Sequence, residues 1–158
     1  MDSPFFGIFI GVKLRYPRID QYKKKVRGNT TLFVASIYHP VDEFEHTEFI
    51  DILSSIMSSV PKTAEFIEGY DVNANLETRS KMYRKTLGPW GISNRNMKGR
   101  RLIEFLSHNQ LKTSNIFFKE PSYVTWRSFN KMRFPHMLDV ISVYEKFFKC
   151  VKSCGISK

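Results

Sequence analysis

The chain has 158 residues, 42% of them apolar, which is enough to bury a sizeable core and excludes wholesale disorder. Lys and Arg outnumber Asp and Glu by 25 to 15, and the formal charge of +10 suits a polyanionic partner, nucleic acid foremost, over a basic protein with no such partner. The 14 phenylalanines favour a core containing sheet, no run reaches the length of a membrane span, and Cys150 and Cys154 complete neither a zinc site nor a disulfide framework, a usage that fits reduced thiols inside a cell.

Residues 5–14 form an apolar strand pattern without the basic flank and cleavage site of a signal peptide. Lys23, Lys24, Lys25 and Arg27 follow in 21–28, as a solvated hairpin tip or as a loop that touches a phosphate backbone. The β-branched and apolar density of 30–38 predicts a strand buried on both faces, stopped by His39-Pro40. Asp42 then caps a helix, with Glu45 at the position that closes a capping box. Phe49, Ile52, Leu53 and Ile56 supply one apolar face of this helix, which ends near 58–59, ahead of Pro61.

Residues 63–68 read as a second strand that ends at a Gly69 turn and presents Asp71 and Asn73. In β conformation residues two apart face the same side, so the pair forms a carboxylate and a carboxamide aimed together. Such a pair orients a metal-bound phosphate or an attacking water. An ordinary Asx-rich turn is the competing reading of the same residues. Residues 75–96 are long and irregular, carrying Arg79, Lys81, Arg84 and Lys85 and then Gly88-Pro89-Trp90-Gly91. They suit a nucleic-acid backbone and base, or else a flexible insertion with Trp90 turned inward.

Asn96 is placed to cap a second helix through about His108, with Leu102, Phe105 and Leu106 as its buried stripe and Ile103 adjacent. Lys98, Arg100 and Arg101 in its first turns oppose the helix dipole, and Asn109 can end it in the left-handed conformation. Three strands are predicted after it, at 113–118, 123–127 and 137–143. The last holds Asp139 inside an apolar run, where an ionised carboxylate is costly unless it is paired or metal-linked, or lies at an edge facing water.

The ordered set of these motifs resembles the endonuclease/exonuclease/phosphatase superfamily, which is DNase I-like. Within it the likeness is closest to endonuclease domains of non-LTR retrotransposons and craniofacial-development-like proteins. Asp71-Val72-Asn73-Ala74 is similar to its Gly-Asp-Phe-Asn-Ala signature. Gly88-Pro89-Trp90-Gly91 resembles its Gly-Pro-x-Gly stretch, and Asn96 with Gly99, Leu102 and Phe105 its following helix. Thr125-Trp126 and Leu138-Asp139-Val140 match its Thr-Trp and Ile-Asp-Tyr strands, and Ser36-Ile37-Tyr38-His39-Pro40 its Asn-x-Tyr-x-Pro strand end.

The resemblance implies an α/β (α+β) fold, a DNase I-like two-sheet sandwich flanked by helices, here incomplete, as a single partial domain over 1–158. It implies a Mg²⁺- or Mn²⁺-dependent phosphodiesterase acting on nucleic acid, DNA ahead of RNA. Asp71 would activate or orient the attacking water, Asn73 would hold the phosphate, Tyr38 would reach the scissile phosphate and Asp139 would steady the site. Asp71 and Asn73 would hold the metal, and Arg79, Lys81, Arg84, Lys85, Trp90 and Trp126 the nucleic acid.

Several departures accompany the likeness. The family's earlier Asn and metal-binding Glu have no counterpart, nor has its closing Ser-Asp-His. Tyr70 separates Gly69 from Asp71, Glu77 and His136 stand where Gly and Arg are usual, and Val140 replaces Tyr. The expectation is a truncated, retroelement-derived piece with weak or no activity, intracellular and possibly nuclear, whose open sheet edges favour self-association. A non-catalytic basic module that binds nucleic acid is the alternative.

Overall fold

The computed structural model describes residues 32–78, 80–92, 95–129 and 134–155. The strand and basic hairpin expected at 5–14 and 21–28, together with Arg79, lie outside these residues.

Strand β1 (Leu32–Tyr38) leads into helix α1 (Glu43–Ser59) and returns as β2 (Glu65–Asp71), parallel to β1. Helix α2 (Met97–His108) leads into the short β3 (Leu111–Thr113), a 3₁₀ turn at Ser114–Ile116, strand β4 (Asp139–Tyr144) and a single turn α3 (Glu145–Phe148). The sheet order is β1-β2-β4-β3, with β4 antiparallel to both neighbours. Among the described residues this is one sheet with helices, a mixed α/β architecture.

Local chemistry explains the helix starts. The Asp42 carboxylate accepts from the backbone N–H of Phe44 at 2.8 Å and of Glu45 at 3.1 Å, covering donors that the first turn leaves open. The buried stripe of α1 is His46, Phe49, Leu53 and Met57. Ile52 is exposed and Ile56 only half-buried, because the buried stripe follows 46, 49, 53 and 57 and so passes through Leu53 and Met57, one step beyond each of them. Asn96 caps α2 through Gly99 N at 2.8 Å, and Leu102, Ile103, Phe105 and Leu106 are buried as expected. The left-handed residue after α2 is Gln110, with φ 56, and not Asn109, whose φ is −86.

The strands after α2 depart furthest from expectation. Residues 113–118 yield only the end of β3, because Ser114 and Asn115 turn the chain into the 3₁₀ segment. Residues 123–127 form no strand, only an isolated bridge from Trp126 to His136. Gly69 is no turn: β2 runs through it to Asp71.

Alternation sorts the sheet into two faces. One row, Ala35, Glu68, Ser142 and Thr113, and a second, Ile37, Tyr70 and Val140, are buried in the core with Phe49, Leu53, Leu102, Phe105 and Leu106. The opposite face carries Ser36, Gly69 and Ile141, then Tyr38, Asp71 and Asp139. Ser36, Tyr38, Asp139 and Ile141 are exposed there, so β1 is buried on one face along this half and not on both.

Candidate nuclease-type site

The register places three of the predicted site residues in one row. Tyr38 is the last residue of β1 and pairs with Asp71, the last of β2, which pairs with Asp139, the first of β4. Two parallel strands therefore end, and an antiparallel one begins, at the same edge. Tyr38, Asp71 and Asp139 line one cleft of about 540 Å³ with Ser36, Gly69, Asn115, Glu120, Tyr123, Thr125 and Ile141 among others. The two acids, 68 positions apart in the chain, meet only through the sheet.

The crossing is tied by the backbone. His39 N–H donates to Asp71 O at 2.9 Å, and Val72 N–H donates to Leu138 O at 2.8 Å. Asp71 is half-buried and its carboxyl lies above the usual carboxylate range, chiefly through burial; the hydrogen bond from Asn73 N–H pulls it down and the charge of Asp139 pushes it up. Asp139 is exposed, so its charge is hydrated and the apolar run around it carries no buried ion.

Asn73 has left the strand, with φ 42. Its N–H donates to Asp71 Oδ1 at 3.3 Å, an Asx turn, and its Nδ2 donates to His39 O at 2.7 Å. Strand alternation therefore does not aim it; the bond to His39 does. The Asx turn is therefore the geometry that Asp71 and Asn73 adopt, at the end of β2 beside the cleft.

The remaining predicted residues are dispersed. Lys81, Arg84 and Lys85 are exposed on the loop before Trp90 and do not line the cleft. Trp90 is partly buried, with Lys119 Nζ 5.6 Å from its ring centroid. Trp126 is exposed and its ring lies 5.7 Å from that of His136, whose Nδ1 is 2.9 Å from Asn75 Oδ1. The unusual Glu77 pairs with Arg95 at 2.8 Å.

Supporting residues were harder to see in the sequence. Asn96 Oδ1 also accepts from Asn75 N–H at 3.2 Å, and a Cβ on Gly99 would collide with Asn75 O. The Asn-x-x-Gly pattern thus seats α2 on the loop that follows Asn73. Gly88 meets the Ile116 backbone in the same way, and Trp90 N–H donates to Ile116 O at 3.1 Å. Thr125 Oγ1 accepts from the N–H groups of Leu138 at 2.9 Å and Asp139 at 3.0 Å. The rings of His39, whose backbone bonds Asp71 and Asn73, and of His46 are buried with their centroids 4.9 Å apart.

The mixed α/β sheet with its helices has a DNase I-like fold. Among solved structures it is similar to the endonuclease domain of TRAS1, a telomere-specific non-LTR retrotransposon, with a TM-score of 0.53 and 17% identity over 75% of this chain and 47% of that one. It is also similar to the 3′-5′ exonuclease (NExo) from Neisseria meningitidis, with a TM-score of 0.56 and 14% identity over 77% and 52%.

In sequence the chain is similar to craniofacial development protein 2 of Bos taurus, 31% identical over 128 residues, and of Tragulus javanicus, 30% identical over 128 residues. The match takes in 77% of this chain in both cases, and 21% and 22% of the relatives, so the chain spans about a fifth of their length. No family model matches the chain. Among the described residues no helix is long and apolar enough to cross a membrane, and no group of three or more His, Cys, Asp or Glu is placed to hold a metal ion.

Proposed function

We propose that the chain is a nucleic-acid phosphodiesterase-type domain that takes a divalent cation at the Asp71 edge and hydrolyses its substrate weakly or not at all. The observation that carries this reading is the row Tyr38, Asp71 and Asp139 across three adjacent strands at one cleft. The oxygen donors of Asp71 and Asn73, faced by Asp139, fit a hard cation such as Mg²⁺ or Mn²⁺. When bound, such a cation neutralises phosphoryl oxygens and makes a water more acidic.

The chain's own groups supply the remainder. The Tyr38 hydroxyl, on a side chain 52% exposed at the cleft, is a donor for a phosphate oxygen. Asp71, raised above the ordinary carboxylate range, is an acceptor for a proton from an attacking water. The Asx turn fixes the carboxylate while its other oxygen serves the site. Among the described residues the cleft is lined by no histidine, lysine or arginine to act as the acid that partners Asp71, and lack of one positioned acid–base group costs about 10²–10⁴ in rate. That supports weak turnover.

Exposed Lys81, Arg84 and Lys85, with Trp126, Phe129 and Phe134 as exposed rings, suit backbone charge and base stacking, DNA ahead of RNA. The net charge of +10 keeps a second reading in view, a basic binder without catalysis. An intracellular and nuclear setting and self-association through open strand edges belong to the same proposal.

Incubation of the purified chain with supercoiled plasmid and Mn²⁺ separates these readings. The expected result is slow nicking that needs the cation and falls by at least about tenfold in Asp71→Ala, with binding to the plasmid unchanged. Cation-independent binding, with no nicking and no response to Asp71→Ala in any divalent cation, would leave only the basic binder.

A further inference from the structure

We infer that Asn115 is a positioning residue that holds Asp139 opposite Asp71, an inference that rests on the cation-site reading only for its consequence and not for its geometry. Strand β3 stops at Thr113, paired with Ser142 of β4, and the chain then turns into Ser114–Ile116. Beyond that point β4 has no backbone neighbour on its β3 side among the described residues. The Asn115 side chain takes the neighbour's place.

Asn115 Nδ2 donates to Asp139 O at 3.3 Å, and Asn115 Oδ1 accepts from Ile141 N–H at 3.2 Å. A carboxamide carries both a donor and an acceptor, so this one meets two polar groups of β4, on residues two apart, that a neighbouring strand would otherwise take. Nδ2 also lies 3.9 Å from Met137 Sδ. Because Thr125 Oγ1 takes Asp139 N–H, both backbone polar groups of Asp139 end on side chains of other segments. Asn115 lines the same cleft as the two acids.

The turn that carries Asn115 is itself seated. Trp90 N–H donates to Ile116 O, Phe117 N–H donates to Ser114 O at 3.1 Å, and Gly88 admits the Ile116 backbone at a distance a Cβ would forbid. The Gly88–Gly91 stretch therefore acts at the cleft through Asn115, without touching substrate.

Asn115 acts on the site through Asp139, so its removal weakens the cation site while leaving the fold in place. The test uses the full chain and a cycle of Asn115→Ala, Asp139→Asn and the double variant. Mn²⁺ affinity, melting temperature and ¹⁵N relaxation at Asp139 are measured for each. Loss of a group that orients a ligand commonly lowers metal affinity by about 10–100-fold. Asn115→Ala is expected to weaken Mn²⁺ binding by about tenfold, within that range, and to have no further effect once Asp139→Asn is present.

If the parent binds Mn²⁺ and Asn115→Ala binds it equally well, the positioning role is overturned and the cation site stands. If the parent binds no Mn²⁺, the cation-site reading falls, and relaxation decides the matter alone: lost order at Asp139 in Asn115→Ala upholds the role, and unchanged order ends it. Should Asn115→Ala fail to fold, Asn115→Asp keeps the acceptor for Ile141 and removes the donor to Asp139; since its added carboxylate changes Mn²⁺ binding directly, relaxation at Asp139 alone is read from it, lost order upholding the role and unchanged order ending it.

Discussion

His39 shows how one residue can serve the site with its backbone and burden the fold with its ring. Its N–H and C=O meet Asp71 and Asn73, while its imidazole packs between His46, Phe49 and Tyr70 with no hydrogen-bond partner among the described residues. Burial first, then the charges of His46 and Lys98, lower its pKa from 6.5 to about 3; burial, Lys98 and Arg101 lower that of His46 to about 4. A folded-state pKa below the unfolded value means that the unfolded chain binds more protons, so stability present above pH 6.5 is lost as the pH falls towards 4 and 3. His39 alone accounts for roughly 3 kcal/mol of that loss by pH 4.

Glu68 works in the opposite sense. Its fully buried carboxyl has no partner among the described residues, and burial raises its pKa well above 4.5, so the folded state keeps a proton that the unfolded state releases above that pH. Stability from this group is complete below pH 4.5 and declines as the pH rises. Melting temperatures taken from neutral pH down to about 4 should fall in the parent and fall less steeply in His39→Phe, which keeps the share due to His46 and whose backbone bonds to Asp71 and Asn73 persist. Identical acid limbs in parent and variant would remove His39 from the account.

Among the elements, α2 does most to fix the loop beyond the acid. Asn96 satisfies both Gly99 N–H and Asn75 N–H, and Gly99 lets the helix lie against Asn75 O. Asn96→Ala should cost about 1 kcal/mol as a lost cap. Gly99→Ala should cost more than that, since a Cβ must displace backbone, despite the better helix propensity of Ala. Urea unfolding of both variants checks the order, and a Gly99→Ala chain as stable as the parent would show that α2 does not rest on Asn75. Sequence patterning located this element well because a cap and an apolar stripe are local signals. It failed at 113–118 and 123–127 because apolar and aromatic density there reflects packing around a turn and a bridge, not ladder pairing.

Taken whole, the molecule separates its charges from its chemistry. The acids lie together in the cleft, while Lys81, Arg84 and Lys85 are exposed on a loop flanked by the buried Thr78, Thr86 and Leu87. If that loop neutralises phosphates, replacing its three cations with Ala should weaken DNA binding evenly across sequences and reduce the slope of log K against log salt by about 2.7. Fluorescence anisotropy across a salt series measures it, and an unchanged slope would place the contacts elsewhere.

The sequence alone determined the charge, the two capped helices, the two strands that lead to Tyr38 and Asp71, and the ordered motifs of a nuclease-type fold, because caps, periodicity and short motifs are properties of neighbouring residues. Only the tertiary structure decided that Asp71 and Asp139 share one ladder position, that Asn73 is aimed by His39, and that Asn115 finishes a strand edge. Those relations join residues far apart in the chain, and the register of a sheet is set by how the packed strands align, not by any one of them.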